Sequence, residues 1–180
     1  LGPLNGMTNV TINGLNISQL LYETHIFCKF GSFEVPGYII NSTSSLSISC
    51  ISPPSKISSI VNVSVLIRSQ SKKKILLIDN LLYQYYDEVI VNSLSPKEGP
   101  AIGGSMIEIF GQGFLNSSSL IVRFSIEGYN KTNLDIHPIY IDSNHLYVLS
   151  PNNPLGNVPG FATVLVSNNG FDFPSDSPLF

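Results

Sequence analysis

Apolar and polar residues alternate with period two along much of the chain: Val10-Thr11-Ile12, Ser47-Ile48-Ser49, Val61-Asn62-Val63-Ser64-Val65 and Ile107-Glu108-Ile109. That period belongs to a strand with one face on a core and the other in solvent. Val, Ile, Tyr and Phe dominate the runs. Clusters of Gly, Pro, Asn and Ser separate them at intervals of roughly 8 to 12 residues. No capped stretch of 3.6-residue period runs beyond a turn or two, so no substantial helix is expected. Short strands at this spacing predict an all-β sandwich.

The pattern also recurs. Residues 2–17, GPLNGMTNVTINGLNI, lie over residues 99–114, GPAIGGSMIEIFGQGF, with Gly2/Gly99, Pro3/Pro100, Gly6/Gly103, Ile12/Ile109 and Gly14/Gly111 coinciding. Further along, CKFGS (28–32) lies over VRFSI (122–126), and CISPP (50–54) over VLSPN (148–152). One domain in two copies is the reading, the first over 1–88 and the second over 89–180. At 180 residues the chain has room for both. Charged residues are 12% and apolar ones 43%, so each copy can form a core rather than remain disordered.

The densest glycine stretch is SLSPKEGPAIGGSMIEIFGQGFL, 93–115. It is not a phosphate loop. A P-loop needs a lysine after its last glycine, whereas Gly104 is followed by Ser105 and Met106. A dinucleotide fingerprint needs a helix there, and the alternation from Met106 onward marks a strand. The glycines are therefore expected in turns: Gly103 and Gly104 before one strand, Gly111 and Gly113 after it.

These residues resemble the IPT/TIG domain, an immunoglobulin-like fold of the E-set type. The second copy has Pro96-x-x-Gly99-Pro100-x-x-Gly103-Gly104-Ser105, a strand, Gly111-x-x-Phe114, then Val122-x-Phe124 and a segment ending at Pro151. It carries Ser105 where the family favours Thr and Ser125 where it favours Gly. The first copy keeps Gly2-Pro3, Gly6, Thr8, Gly14 and CKFG, has Met7 in place of the second paired glycine, and lacks the leading strand. The resemblance implies two tandem immunoglobulin-like sandwiches. It leaves function open, because such domains occur in cell-surface receptors, in transcription factors and beside catalytic domains of starch-acting enzymes.

Cys28 and Cys50 align with Val122 and Val148, so both are expected to face the core. A disulfide between them is the favoured reading and implies an oxidising compartment; two buried thiols in an intracellular protein are the alternative. Sequons for N-glycans occur at Asn9, Asn16, Asn41, Asn62, Asn116 and Asn130, where 17 Asn in this Ser-rich chain would give about three by chance. Asn9 and Asn62 fall on the outward phase of their strands, and the others in polar, turn-like stretches.

Nothing in the sequence reads as catalytic. The acids are scattered, and His25, His137 and His145 share no metal-ligand spacing with the two cysteines, so neither a cofactor nor a metal is expected. A net charge of −3 argues against nucleic acid as a partner. No run of 18 apolar residues and no leader appears, so attachment to a membrane is expected only through a segment outside this chain. Lys72-Lys73-Lys74 reads as a solvated hairpin turn or as a docking point for an acidic partner. Asn168, Asn169 and Phe171 mark the matching turn of the second copy, and such tips are where an immunoglobulin-like module often meets its partner.

The Asn- and Ser-rich composition, the sequons and the tandem repeat are similar to the IPT-containing cell-surface proteins of social amoebae, with plexin- and Met-like receptors as the nearest alternative. That resemblance implies adhesion and self-recognition through another cell-surface protein, homophilic or heterophilic. A transcription-factor dimerisation module and an accessory module of a secreted carbohydrate-acting enzyme are the competing readings. The second of these would bring surface aromatics, for which Tyr83, Tyr85 and Tyr86 are the conspicuous candidates, although their alternation, Tyr83 and Tyr85 on one face and Tyr86 on the other, reads as half core and half domain-junction surface.

Overall fold

A computed structural model describes residues 1–15, 24–41, 46–69, 74–126, 132–174 and 180. Every regular element among them is a strand, and they divide into two compact units, Leu1–Tyr86 and Asp87–Phe180.

The first unit holds β1 (Gly2–Pro3), β2 (Asn9–Leu15), β3 (Thr24–Phe30), β4 (Phe33–Asn41), β5 (Leu46–Ile51), β6 (Ser59–Ser69) and β7 (Lys74–Tyr86). They hydrogen-bond in the order β1-β7-β6-β3-β4-β5-β2. This sheet doubles back on itself. Ile12, Ile48 and Cys50 from its β2–β5 end pack against Ile26, Cys28, Phe30, Val63, Val65, Ile67, Tyr83 and Tyr85 from the other. The fold is made at β4, whose first half pairs with β3 and whose second half pairs with β5. Gly37 belongs to both ladders. A Cβ there would stand 2.9 Å from Ile26 Cγ2, 3.2 Å from Ile48 Cγ2 and 3.3 Å from Cys50 Sγ, so only glycine lets the strand cross between layers this closely.

The second unit holds β8 (Ile90–Ser95), β9 (Met106–Gln112), β10 (Ile121–Ile126), β11 (Thr132–Ile136), β12 (Ile139–Asp142), β13 (His145–Leu149) and β14 (Ala162–Ser167). Here the two sheets are separate, β11-β10-β14 and β12-β13-β9-β8. The register explains the difference. Cys28 pairs with Val35 in the first unit as Val122 pairs with Ile136 in the second, so His137-Pro138 stand where Pro36-Gly37 stand. Pro138 has no N–H to give a ladder, and the single crossing strand becomes two. Alternation along β9 and β13 sends Ile107, Ile109, Leu146 and Val148 inward, where they meet Phe114, Val122, Phe124, Val164 and Val166, all buried. Each such side chain contributes roughly 1.5–3 kcal/mol by leaving water.

Gly6 and Gly103 do the same work in the two units. Each has positive φ (+72° and +78°), and a Cβ would come within 2.7 Å of Pro53 C in one case and 2.6 Å of Pro151 C in the other. The next position differs: Gly104 has φ +82°, and in the first unit Met7 holds the same conformation at φ 67°. Met7 is exposed, so its side chain gains little from packing, while a non-glycine residue in this region costs about 1–2 kcal/mol. Glycine would give part of that back as extra freedom of the unfolded chain. Met7→Gly is expected to stabilise the first unit by about 0.5–1 kcal/mol, read as a higher denaturant midpoint at unchanged slope; no rise would mean that Met7 bears no strain.

Gly113 takes positive φ as expected of a turn, but Gly111 does not belong to the turn. It lies within β9, opposite Val91, and is there because the β8 backbone and the Phe114 ring approach it too closely for any side chain.

Candidate interaction faces

Cys28 on β3 and Cys50 on β5 form a disulfide with Cα atoms 6.3 Å apart. Both are fully buried and tie the two layers of the first unit together across the crossing strand. The second unit fills the same places with Val122 and Val148, so the bond is a clamp added to a core that also closes without it.

Among the sequon asparagines, Asn9, Asn62 and Asn116 are exposed. Asn9 points outward from β2 and its Oδ1 accepts a hydrogen bond from Ser49 Oγ. Asn62 points outward from β6, opposite Leu82. Asn41 ends β4, facing Leu46 in the ladder. Asn16 and Asn130 lie outside the described residues, as do Lys72 and Lys73, and Lys74 opens β7 opposite Arg68.

The second hairpin tip differs from its sequence reading. Asn168 and Asn169 are buried. Asn168 Oδ1 accepts from Leu115 N at 2.9 Å and its Nδ2 donates to Gly113 O at 2.8 Å, holding the loop after β9. Asn169 Oδ1 accepts from Phe171 N at 3.0 Å and Asp172 N at 2.9 Å, and its Nδ2 donates to Asp172 Oδ2 at 2.7 Å. Both amides are committed to the backbone and to their own turn, and of the three residues only Phe171 is presented to solvent. Tyr83, Tyr85 and Tyr86 are likewise buried, so they form no surface platform. Tyr85 donates to Pro53 O at 2.8 Å, and burial, with Tyr83 beside it, pushes its pKa up to about 12.

The outward face of β12-β13-β9-β8 carries a group that the sequence did not reveal. His145 stacks on Phe110 with ring centroids 4.8 Å apart and planes 12° from parallel, and Tyr147 lies against its other side at 4.8 Å. Tyr147 donates its hydroxyl to Glu108 Oε1 at 2.8 Å, and this bond raises the phenol's pKa. His145 Nε2 sits 3.9 Å from Glu108 Oε2. Around this group lie Met106, Leu149, Ile139 and Ile141, all exposed. On the opposite sheet Arg123 grips Asp135 through two hydrogen bonds of 2.6 and 2.7 Å and covers the Phe173 ring at 3.8 Å. The guanidinium holds the Asp135 carboxyl below the usual carboxylate range.

A cleft of about 790 Å³ at one end of the second unit is lined by Pro100, Phe124, Ile126, Pro151, Phe161 and Phe180 among others, with Lys97 and Glu98 as its ionisable groups. It brings no nucleophile and base together. Among the described residues no three His, Cys, Asp or Glu side chains gather as metal ligands, and no helix is long and apolar enough to cross a membrane.

Among curated proteins, none matches the sequence. Among solved structures, the chain is similar to the full extracellular region of plexin A4. Against domains 1 to 10 it reaches a TM-score of 0.52 at 18% identity over 99% of this chain, and against domains 1 to 8 a TM-score of 0.46 at 18% over 99%. It spans 14% and 17% of those two chains. It is more distantly similar to a Bacteroides ovatus protein, SGBP-B of a mixed-linkage glucan utilization locus, solved with a mixed-linkage heptasaccharide (TM-score 0.35, 11% identity, 96% of this chain and 37% of that one). The first of these likenesses shows the fold. The IPT/TIG domain matches the sequence twice, over residues 2–85 and 90–180, and together with the two sandwiches this places the chain in the IPT/TIG domain family.

Proposed function

We propose that the chain is part of the extracellular region of a cell-surface receptor, glycosylated and anchored through a segment outside this chain, that mediates cell–cell adhesion and recognition by binding another cell-surface protein. Heterophilic allorecognition is the form of adhesion we favour. The observation that carries the reading is the Cys28–Cys50 disulfide, buried between the layers of the first unit. Such a bond forms and persists in oxidising compartments and is rare in the cytosol or nucleus, where a transcription-factor module would work. Exposed sequon asparagines at Asn9, Asn62 and Asn116 support the same compartment. The burial of Tyr83, Tyr85 and Tyr86 removes the feature that most favoured a carbohydrate-acting partner domain.

The test is a two-colour bead assay with the chain secreted from a eukaryotic host. Wild-type beads are expected to cluster with beads coated with the membrane-glycoprotein fraction of the source cells, and peptide mass mapping is expected to find glycan at Asn9. Clustering among like beads alone would make the adhesion homophilic. Absence of clustering at every coating density, where many weak contacts add up, would sink the adhesion reading.

A further inference from the structure

We infer that the outward face of β12-β13-β9-β8 in the second unit is the surface that binds the partner, and that the partner is a different protein presenting an apolar patch with a lysine or arginine at its centre. The inference rests on the receptor reading and names the face that serves it.

The two units supply their own comparison, because the register equates their outward positions one by one. Asn9, Thr11 and Asn13 on β2 become Met106, Glu108 and Phe110 on β9; Ser47, Ser49 and Ile51 on β5 become His145, Tyr147 and Leu149 on β13. Tyr38 on β4 becomes Ile139 on β12. In the first unit the middle of this face is Asn, Ser and Thr, tied together by Ser47 Oγ donating to Asn13 Oδ1 at 2.7 Å and by the Ser49–Asn9 bond, and Asn9 is a sequon. Tyr38, Ile40 and Ile51 are exposed around that polar middle. In the second unit Met106, Phe110, Ile139, Ile141 and Leu149 stand 38–58% exposed on the same face. Ile139, Ile141 and Leu149 stand where the first unit also exposes Tyr38, Ile40 and Ile51, but Met106, Phe110 and Tyr147 stand where it has Asn9, Asn13 and Ser49, and this apolar and aromatic filling of the middle of the face is explained by a protein that covers it.

Charge selects the occupant. The four strands carry Glu108 and Asp142 and no lysine or arginine. Glu108 is central, between Met106 and Phe110 on its own strand and opposite Tyr147 on the next. A second copy laid face to face would bring two Glu108 carboxylates together in apolar surroundings, which is unfavourable. A partner's cation at that point can bond Glu108 Oε2, which Tyr147 leaves unused and which, among the described residues, has only His145 Nε2 near it, at 3.9 Å. The Phe110 and His145 rings, stacked on each other, and the Tyr147 ring tilted against His145 give it an aromatic bed of the kind enriched at the centre of binding patches.

The test copies the first unit onto the second. The double substitution Met106→Asn with Glu108→Thr writes the Asn9-Val10-Thr11 sequon into the matching place as Asn-Ile107-Thr. Both positions point outward, so the fold is expected to persist, as judged by an unchanged melt. Clustering of these beads with the glycoprotein-coated beads is expected to fall at least about tenfold, while Asn9→Gln beads cluster as wild type does. Glu108→Gln keeps the shape and the Tyr147 bond; it is expected to weaken clustering and to remove most of its sensitivity to added salt. Undiminished clustering by the glycosylated double variant would overturn the face while leaving the receptor reading in place. Clustering of wild-type beads among themselves that the double variant abolishes would overturn the choice of a different protein in favour of a second copy. If wild-type beads cluster with neither coat, the receptor reading falls and this inference falls with it.

Discussion

Replacing Cys28 and Cys50 together by serine is expected to lower the stability of the first unit by about 3–5 kcal/mol and to leave the second unit unchanged. The bond closes a loop of 22 residues' separation, for which the loss of unfolded-chain freedom is worth about 3 kcal/mol. The serine hydroxyls then stand in fully buried apolar positions, which adds the penalty of ill-matched polar groups. For a unit of this size each kcal/mol moves the midpoint by about 4–8 °C, so the thermal trace should split, the first unit melting roughly 15 °C or more below its wild-type position. Valine at both places distinguishes the clamp from the packing. Val122 and Val148 already fill these positions in the second unit, so the double valine variant should lose the loop contribution alone and melt above the serine variant. Equal midpoints for the two variants would mean that burial of the serines costs nothing, and a serine variant that melts with the wild type would mean that the disulfide stabilises nothing.

The alignment of cysteine with valine shows how far the sequence alone reaches. Period-two runs separated by turn residues are enough for the strands, and the coincidence of Gly6 with Gly103 and of Cys28 with Val122 is enough to pair the copies. The features it hides are non-local. VPGYII and HPIYID each hold a proline, and the sequence alone does not tell that Pro36 leaves β4 unbroken while Pro138, at the place where the strand crosses between layers, divides β11 from β12. Asn168 and Asn169 have turn-forming chemistry, and they do form a turn. Their burial comes from the loop at Gly113 and Leu115, far off in sequence, which needs the Asn168 amide to satisfy its backbone. The exposed face of the second unit escapes for another reason. Alternation identifies the inward residues, which make the core. The signal lies in the outward half of the same pattern, where Met106, Phe110, Tyr147 and Leu149 replace Asn9, Asn13, Ser49 and Ile51. Only one of those four replacements keeps the character of the position.

Gly111→Ala is expected to cost the second unit about 3 kcal/mol or more, and Gly104→Ala only about 1 kcal/mol, although Gly104 is the one with the glycine-like backbone. The reason is the difference between strain and collision. At Gly104 a methyl group would meet nothing within 4 Å, and the change adds only the penalty of a side chain at φ +82°. Met7 already tolerates that conformation in the first unit. At Gly111 φ is ordinary, but the methyl carbon would lie 2.1 Å from Ile90 O and 2.5 Å from Phe114 Cζ. Neither neighbour can retreat cheaply. Ile90 is held in the ladder opposite Gln112, and Phe114 is fully buried in the core. Relief requires β8 to move away from β9 or the ring to leave its place, and overpacking of this kind runs at the upper end of the usual range of about 1–3 kcal/mol or above it. Gly111 also donates its N–H to Asn144 O at 2.9 Å, so a shifted strand would loosen the turn before β13 as well. Hydrogen exchange reads the result by element. Loss of protection should begin in β8 and the 143–145 turn for Gly111→Ala, whereas Gly104→Ala should lower only the most protected amides, about fivefold and evenly, with no element opening first. If the order of the two costs came out reversed, backbone conformation rather than close approach would be what keeps glycine at these positions.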